Sequence, residues 1–446
     1  MHLSSSRTIA AIILIVAAKV SAATEPPPIK PLDQASLREY AGVYRWGPDA
    51  FLYLQLWSEL SGTPQLVAFD ESGDVRTLYP TDHDRFFTGP GAAVSTSLES
   101  TVQFERNPQG EIVSLAWQRT GSTSRVARRV QMETREDVRF SNGIVRLAGA
   151  LIRPATGVRH PAIILVPASG PEDREYLLPL VHFLVRHGIA VLGYDKRGVG
   201  GSTGDWNTAS FDDLAGDASA AFEYLKTRPD IDHRQIGLFG LSQAGWIMPL
   251  AATRTSGLAF LISVSGAGVS PAETTIDEAR GEMTAAHMQP QVIQQIIDLL
   301  HLEYEFAQTG RGWDDYAGAR EKLIARMGKA PSTFPGTPND PYWDSIRRFY
   351  FYDPAPTLRR LRVPTLALFG GLDDNILAAK NKAAWDAALR ASGNPDYTLL
   401  ILPSADHLML DAKVGNNAEM PSLQQFVPAY FPSVQGWLAK RVRGVN

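Results

Sequence analysis

Three short stretches of the chain carry residue types and spacings that could perform acyl transfer. The first is Gly240-Leu-Ser-Gln-Ala-Gly245, preceded by the apolar run Ile236-Gly-Leu-Phe239 and followed by Trp246-Ile-Met-Pro-Leu-Ala-Ala. A strand, a tight turn and a helix start in that order lift a serine hydroxyl above the carboxyl edge of a sheet. Small residues two positions either side of the serine let strand and helix approach closely. A strict G-x-S-x-G needs glycine at 244, where this chain has alanine; one methyl crowds the turn without abolishing it. G-x-S alone decides nothing, because it also ends at Ser202 and Ser270. Ser202 lies in the loop Gly198-Val-Gly-Gly-Ser-Thr-Gly204 and Ser270 precedes Pro271, so neither joins a strand directly to a helix. Context therefore selects Ser242 as the nucleophile, against the alternative of a plain turn serine.

A serine hydroxyl is a weak nucleophile at neutral pH and needs a base, itself oriented by an acid. Only one histidine follows a late apolar run: His407, in Pro403-Ser-Ala-Asp-His-Leu408 after Tyr397-Thr-Leu-Leu-Ile-Leu402. Its bland alternative is a surface-loop histidine. The acid is expected in Gly370-Gly-Leu-Asp-Asp-Asn-Ile376, where Asp373 fits a G-x-x-D-x-x-aliphatic spacing. Asp374 is the alternative acid, otherwise a solvated neighbour or a cap of the next helix. Asp406 is disfavoured because adjacent side chains usually diverge from one another.

The elements that must position these residues can be read from the apolar periodicity. Between about 36 and 131, short runs such as Phe51–Leu56, Gln65–Phe69, Thr101–Phe104 and Glu111–Trp117 alternate with Gly, Pro, Asp and Asn turns. No strong helical period interrupts them, which predicts a small antiparallel sheet or barrel. From about 134 the rhythm changes to short apolar strands alternating with helices. Strands are predicted at Ala162–Val166, Ile189–Tyr194, Gln235–Phe239, Leu258–Val264, Pro364–Phe369 and Tyr397–Leu402. Helices are predicted at Tyr176–His187, at Phe211–Lys226 and after Ser242. That alternation means a mostly parallel, doubly wound sheet covered on both faces. It lapses over roughly 272–355, where a helical insertion ends in the aromatic cluster Tyr342–Tyr352. Those aromatics either wall an apolar substrate site or form the insertion's own core; the second is the safer expectation.

With these motifs in order, residues 134–446 resemble the α/β-hydrolase superfamily of serine esterases and peptidases. Ser169-Gly-Pro-Glu-Asp-Arg174 and Asp195-Lys-Arg-Gly-Val-Gly200 are similar to the S-G-P-x-D-R and D-K-R-G-x-G loops of a bacterial subfamily. The resemblance implies an α/β fold with a helical cap insertion, and an oxyanion hole built from the backbone N–H groups of Gln243 and Ser169. This chain carries Pro167-Ala168 where His-Gly is common, so loop conformation is the point to test. Asp173, Arg174, Asp195 and Arg197 are expected to brace loops through ion pairs. The segments Leu37–Tyr44 and Ala127–Val130 are loosely similar to lipocalin-like accessory domains attached to some β-lactamase-related hydrolases, which implies no catalysis.

Composition narrows the rest. The chain has 446 residues, a net charge of −4 and no cysteine. Nucleic acid is an unexpected partner without a basic block, and thiolate catalysis, Cys-ligated zinc and disulfides are excluded. No H-x-x-x-H pair sits on a helix, and the Gly198–Gly204 loop lacks the lysine of a phosphate loop, so neither a metal nor a nucleotide cofactor is expected. Arg7, the apolar stretch Ile9–Ala18 and Val20-Ser21-Ala22 read as a secretory signal cleaved near Ala22, with Lys19 leaving an uncleaved anchor as the alternative. The expected organisation is a signal over 1–22, a β-rich accessory domain over 30–132 and an α/β-hydrolase domain over 134–446. The sequence thus points to a periplasmic or secreted serine hydrolase acting on a small ester, with no membrane domain after cleavage. A peptidase or amidase on the same residues, and a non-catalytic binding protein on a hydrolase scaffold, are the alternatives. Oligomeric state is not readable.

Overall fold

A computed structural model describes residues 25–58, 60–157, 159–175, 178–328 and 334–444. The expected secretory signal, its apolar stretch and the site near Ala22 lie outside these residues. No described helix is long and apolar enough to cross a membrane.

Eight antiparallel strands close the first unit into a barrel: β1 (Gly42–Gly47), β2 (Ala50–Trp57), β3 (Gln65–Asp70), β4 (Val75–Asp82), β5 (Arg85–Thr88), β6 (Ser100–Arg106), β7 (Ile112–Arg119) and β8 (Arg125–Val130). Closure comes from β1 pairing with β8, Val43 facing Val130, and it removes the open edges that a small sheet would otherwise expose. The period-two alternation explains why β2 reads as a continuous apolar run. Leu52, Leu54 and Leu56 point inward with Leu66, Phe86 and Phe104. Phe51, Tyr53 and Trp57 point outward and join Val67, Phe69 and Val75 in the core of the second unit. Both faces of β2 are therefore dry, one against the barrel's own core and one against its neighbour.

One expectation fails here. Gln34–Tyr40 is a helix and not the start of a strand. Asp33 caps it by accepting from the Ser36 amide, and Leu37 and Tyr40 are buried against the barrel core. The two apolar residues lie three apart, a spacing that places them on one face of a helix but on opposite faces of a strand.

The second unit is an eight-stranded sheet of β9 (Glu133–Asn142), β10 (Val145–Pro154), β11 (His160–Val166), β12 (Ala190–Tyr194), β13 (Ile231–Leu241), β14 (Phe260–Val264), β15 (Thr365–Gly370) and β16 (Tyr397–Leu402). Its order is β16-β15-β14-β13-β11-β12-β10-β9. The strands from β11 onward are parallel, while β9 and β10 form an antiparallel hairpin at the edge. Crossover helices cover both faces, splitting the apolar residues into two cores. The helix Leu178–Arg186 ends at Gly188, whose φ of +86° suits glycine alone without strain. The barrel docks on one of these faces. The Val75 amide donates to Gln424 O, the Phe426 amide donates to Gly73 O, and Trp57 lies 6.3 Å from Phe426 in a stacked pair.

The insertion forms four helices, Pro271–Ala285, Pro290–Thr309, Trp313–Met327 and Tyr342–Phe349, around their own apolar cluster. Trp343 and Ile346 are buried there, Trp343 edge-on to Phe306 and Tyr316. Most of the aromatic cluster is thus cap core. Phe349 and Tyr352 instead pack on Phe211 and fasten the insertion to the sheet's helix layer.

Candidate active site

Ser242 sits where β13 turns into the helix Ala244–Arg254, with φ of +54°. A non-glycine residue in that region is strained by its Cβ, and the surroundings hold it there. Its amide donates to Val264 O on the neighbouring β14, and the Gly245 amide donates back to Ser242 O. The missing glycine at 244 proves harmless for a definite reason. Ala244 is fully buried, and its methyl fills the space that Gly240 leaves, so a Cβ at 240 would collide with it. A close backbone approach falls one residue later, where a Cβ on Gly245 would lie 2.6 Å from the Gly266 Cα.

The other two G-x-S serines have structural work. Ser202 Oγ donates to Asp195 O and accepts from the Ala148 amide. Ser270 caps Pro271–Ala285 in a reciprocal capping box with Glu273.

His407 and Asp373 meet directly: His407 Nδ1 lies 2.9 Å from Asp373 Oδ2, both side chains being buried. The second carboxylate oxygen, Oδ1, accepts from the amides of Asn375 and Ile376, which fixes the carboxylate plane. Asp374 caps no helix and is half-buried. Its Oδ1 is buried without a partner, and burial, then the charge of Asp373, push its pKa up to about 6. Asp406 Oδ1 accepts from the Leu408 and Leu410 amides, and its Oδ2 is buried without a partner among the described residues.

Serine and histidine loops are tied to consecutive residues of β14. Val264 O holds the Ser242 amide, and Ser265 Oγ donates to His407 O. Ser242 Oγ itself makes no hydrogen bond among the described residues; catalytic contacts of this kind tighten when substrate fills the site. Burial alone would lower the basicity of His407, but Asp373, then Glu278 and Asp406, overcome it and raise the pKa to about 9.

Glu278 is the residue that sequence reasoning missed. It lies on the cap helix Pro271–Ala285, which rests on the acid loop where Gly281 packs against Asp374. Burial, then Glu282 and Asp374, push its pKa up to about 7, while His407 opposes them. Only the folded cap brings it within electrostatic reach of the histidine.

Across from Ser242, the loop after β11 exposes Ser169. Among the described residues, neither the Ser169 amide nor the Gln243 amide donates to a protein acceptor. Two unpaired N–H groups beside a strained serine are what a developing oxyanion would require. Three of the four expected braces are ion-paired, while Asp173 instead accepts from the Glu175 amide and pairs with no cation among the described residues. Arg174 grips Asp195 through Nε and Nη2 at 3.0 and 2.8 Å, and Arg197 grips Asp217 at 2.8 and 2.7 Å. No group of three or more His, Asp or Glu among the described residues could hold a metal ion.

A parallel sheet with an antiparallel edge, helices on both faces, a strained serine turn and a helical cap define an α/β-hydrolase, here a serine hydrolase of esterase or peptidase type. Residues 142–409 match the model of the X-Pro dipeptidyl-peptidase (S15) family, and the chain belongs to that family. It is 24% identical over 274 residues to esterase EstD of Thermotoga maritima, covering 60% of this chain and 59% of EstD. It is also 29% identical over 128 residues to the quorum-quenching protein AidA of Acinetobacter baumannii, covering 28% of this chain and 42% of AidA. The chain thus spans about three fifths of EstD and less than half of AidA. An esterase of Pyrococcus furiosus aligns over 69% of this chain and 91% of its own at 15% identity, with a TM-score of 0.43.

Proposed function

We propose that the protein is an exported serine esterase working through a Ser242–His407–Asp373 triad and an acyl-enzyme. Ser242 Oγ attacks the ester carbonyl carbon while His407 takes its proton. The amides of Gln243 and Ser169 receive the oxyanion. Collapse of the tetrahedral species breaks the C–O bond to the alcohol, which leaves with the proton from His407. Water, deprotonated by His407, then attacks the acyl-enzyme and frees acid and serine. Asp373 keeps a proton on Nδ1, so that Nε2 is free to accept, and stabilises the imidazolium as it forms. The pairing of His407 with Asp373 carries the reading, and the similarity to EstD supports an ester substrate.

A second reading is favoured by two observations. The family model bears the name of a dipeptidyl-peptidase, and besides Asp373 the charges that raise the His407 pKa are those of Glu278 and Asp406, with Glu282 and Asp374 acting in turn on Glu278. Such a negative site suits a substrate carrying an ammonium group, such as a peptide with a free amino end. Turnover of p-nitrophenyl acyl esters beside Xaa-Pro p-nitroanilides separates the two. Cleavage of the anilides alone would refute the esterase reading. Fluorophosphonate labelling that persists in Ser242→Ala would refute the triad. Export is tested by sequencing the amino terminus of the mature protein, expected to begin near residue 23.

A further inference from the structure

Lys196, in the loop after β12, is 2% exposed, and among the described residues no carboxylate forms an ion pair with its ammonium. Its Nζ instead donates to three neutral oxygens: Ala168 O at 2.6 Å, Gln243 Oε1 at 2.9 Å and Gly170 O at 3.2 Å. The face of Trp206 lies 5.3 Å away. Burial depresses the pKa to about 7, with Glu172 opposing it only in part. A buried charge held by neutral acceptors is costly, so its contacts are the place to look for a return.

Those contacts have a common geometry. Ala168 and Gly170 flank Ser169, and Gln243 follows Ser242. In a planar trans peptide the carbonyl and the N–H point in opposite directions. The Ala168 carbonyl belongs to the same peptide unit as the Ser169 N–H. Holding that oxygen against Lys196 therefore turns the Ser169 N–H away from the lysine. The Gly170 carbonyl accepts from Lys196 as a second fixed point, and its peptide unit, whose nitrogen belongs to Pro171, has no N–H to orient. On the far side, Lys196 fixes the side chain of Gln243. The β11 loop and the serine turn meet at one ammonium.

We propose that Lys196 is a positioning residue that assembles the oxyanion hole, cross-linking the Ala168–Gly170 loop to Gln243 so that the two backbone N–H groups converge on one oxygen. The assignment rests on the acyl-transfer reading above. It also accounts for how this chain tolerates Pro167-Ala168: the loop is held from behind by the lysine, beside a small cavity lined by Val166, Pro167, Tyr194, Leu214, Ile247 and the Arg197-paired Asp217.

Lys196→Met keeps the stem and removes Nζ. For folded variant, checked by circular dichroism and thermal melting, kcat on p-nitrophenyl butyrate is expected to fall about 100-fold, the scale of a lost oxyanion donor. KM should stay within about three-fold, because the oxyanion exists only beyond the ground state. Affinity for an aryl trifluoromethyl ketone, which forms a tetrahedral adduct on serine, should fall by a similar factor. Gln243→Met retains the backbone N–H and removes one acceptor. It should lower kcat about three- to ten-fold, and the double variant should be no worse than Lys196→Met alone. A folded Lys196→Met with wild-type kcat and ketone affinity, or with a loss confined to KM, overturns the proposal. If Lys196→Met does not fold, unchanged kcat and ketone affinity in Gln243→Met overturn it. Turnover surviving in Ser242→Ala would instead strike at the triad, so the two failures are distinguishable.

Discussion

Asp373→Asn tests the triad at its most defined contact. Asparagine is nearly isosteric, so its Oδ1 can keep accepting from the Asn375 and Ile376 amides while Nδ2 takes the place of Oδ2 beside His407 Nδ1. An amide NH2 can only donate. Nδ1 must then accept, the ring proton moves to Nε2, and the nitrogen facing the serine can no longer take its proton. The charge goes as well. Raising the imidazole from its ordinary value near 6.5 to about 9 favours the imidazolium by about 3 kcal/mol at 1.36 kcal/mol per pH unit. Asp373 is the largest contributor to that rise, so about 2 kcal/mol of transition-state stabilisation disappears with it, a factor of about 30. The wrong tautomer adds the rest, and a fall in kcat of about 10⁴ is expected. Steady-state hydrolysis of p-nitrophenyl butyrate reads the rate, and thermal melting should move by only a few degrees because both amide contacts survive. Asp374→Asn is the control, expected within about three-fold of the parent. Activity within ten-fold of the parent in Asp373→Asn, or loss in the Asp374 variant instead, would refute the assignment.

Two further outcomes follow from the packing and the charge around this pair. Gly240→Ala drives a methyl into that of Ala244, so overpacking of about 1–3 kcal/mol is expected as a lower melting temperature; Gly240→Ala/Ala244→Gly should recover part of it, and no recovery would mean that the clash lies elsewhere. Glu278→Gln removes a negative charge that raises the His407 pKa. In the proposed mechanism neutral His407 is the base, so the rising limb of kcat/KM against pH should move toward acid by about one unit, and a limb that stays put would show that Glu278 does not act on the histidine.

Legibility along the chain follows the range of the interactions involved. Phe211–Lys226 and Tyr397–Leu402 fall where their local apolar patterns put them, because a crossover helix carries its period within the segment and the short apolar run of β16 marks a strand even at the sheet edge, where Leu400 and Ile401 stay exposed. The Asp373 spacing was readable too, since the loop must give Oδ1 two nearby amides before Oδ2 can face a histidine. Glu278 was not readable: its position over His407 depends on a cap helix folding back across more than a hundred residues of chain. The helix Gln34–Tyr40 was hidden for the opposite reason, its 7 residues burying only the single pair Leu37 and Tyr40, too little to register as a period. The double-sided burial of β2 showed as unusual apolarity, but only the docked barrel says which face meets which core.

The strain at the site is shared between two strand ends. Ser242 and Ser265 both adopt positive φ, +54° and +46°, at the carboxyl ends of β13 and β14. Non-glycine residues hold that conformation only where surrounding contacts over-determine it. Here the contacts are mutual. The Ser242 amide is held by Val264, the residue before Ser265, and the Ser265 hydroxyl holds the His407 carbonyl. The Ser265 amide is anchored in turn on Leu368 O of β15, the strand that leads to Asp373. Gly245 and Gly266 let the two turns approach to a separation that no side chain would permit. The two strained serines therefore couple the nucleophile loop, the histidine loop and the acid strand through one patch of backbone. A disturbance at Ser265 should reach all three, although its side chain performs no chemistry.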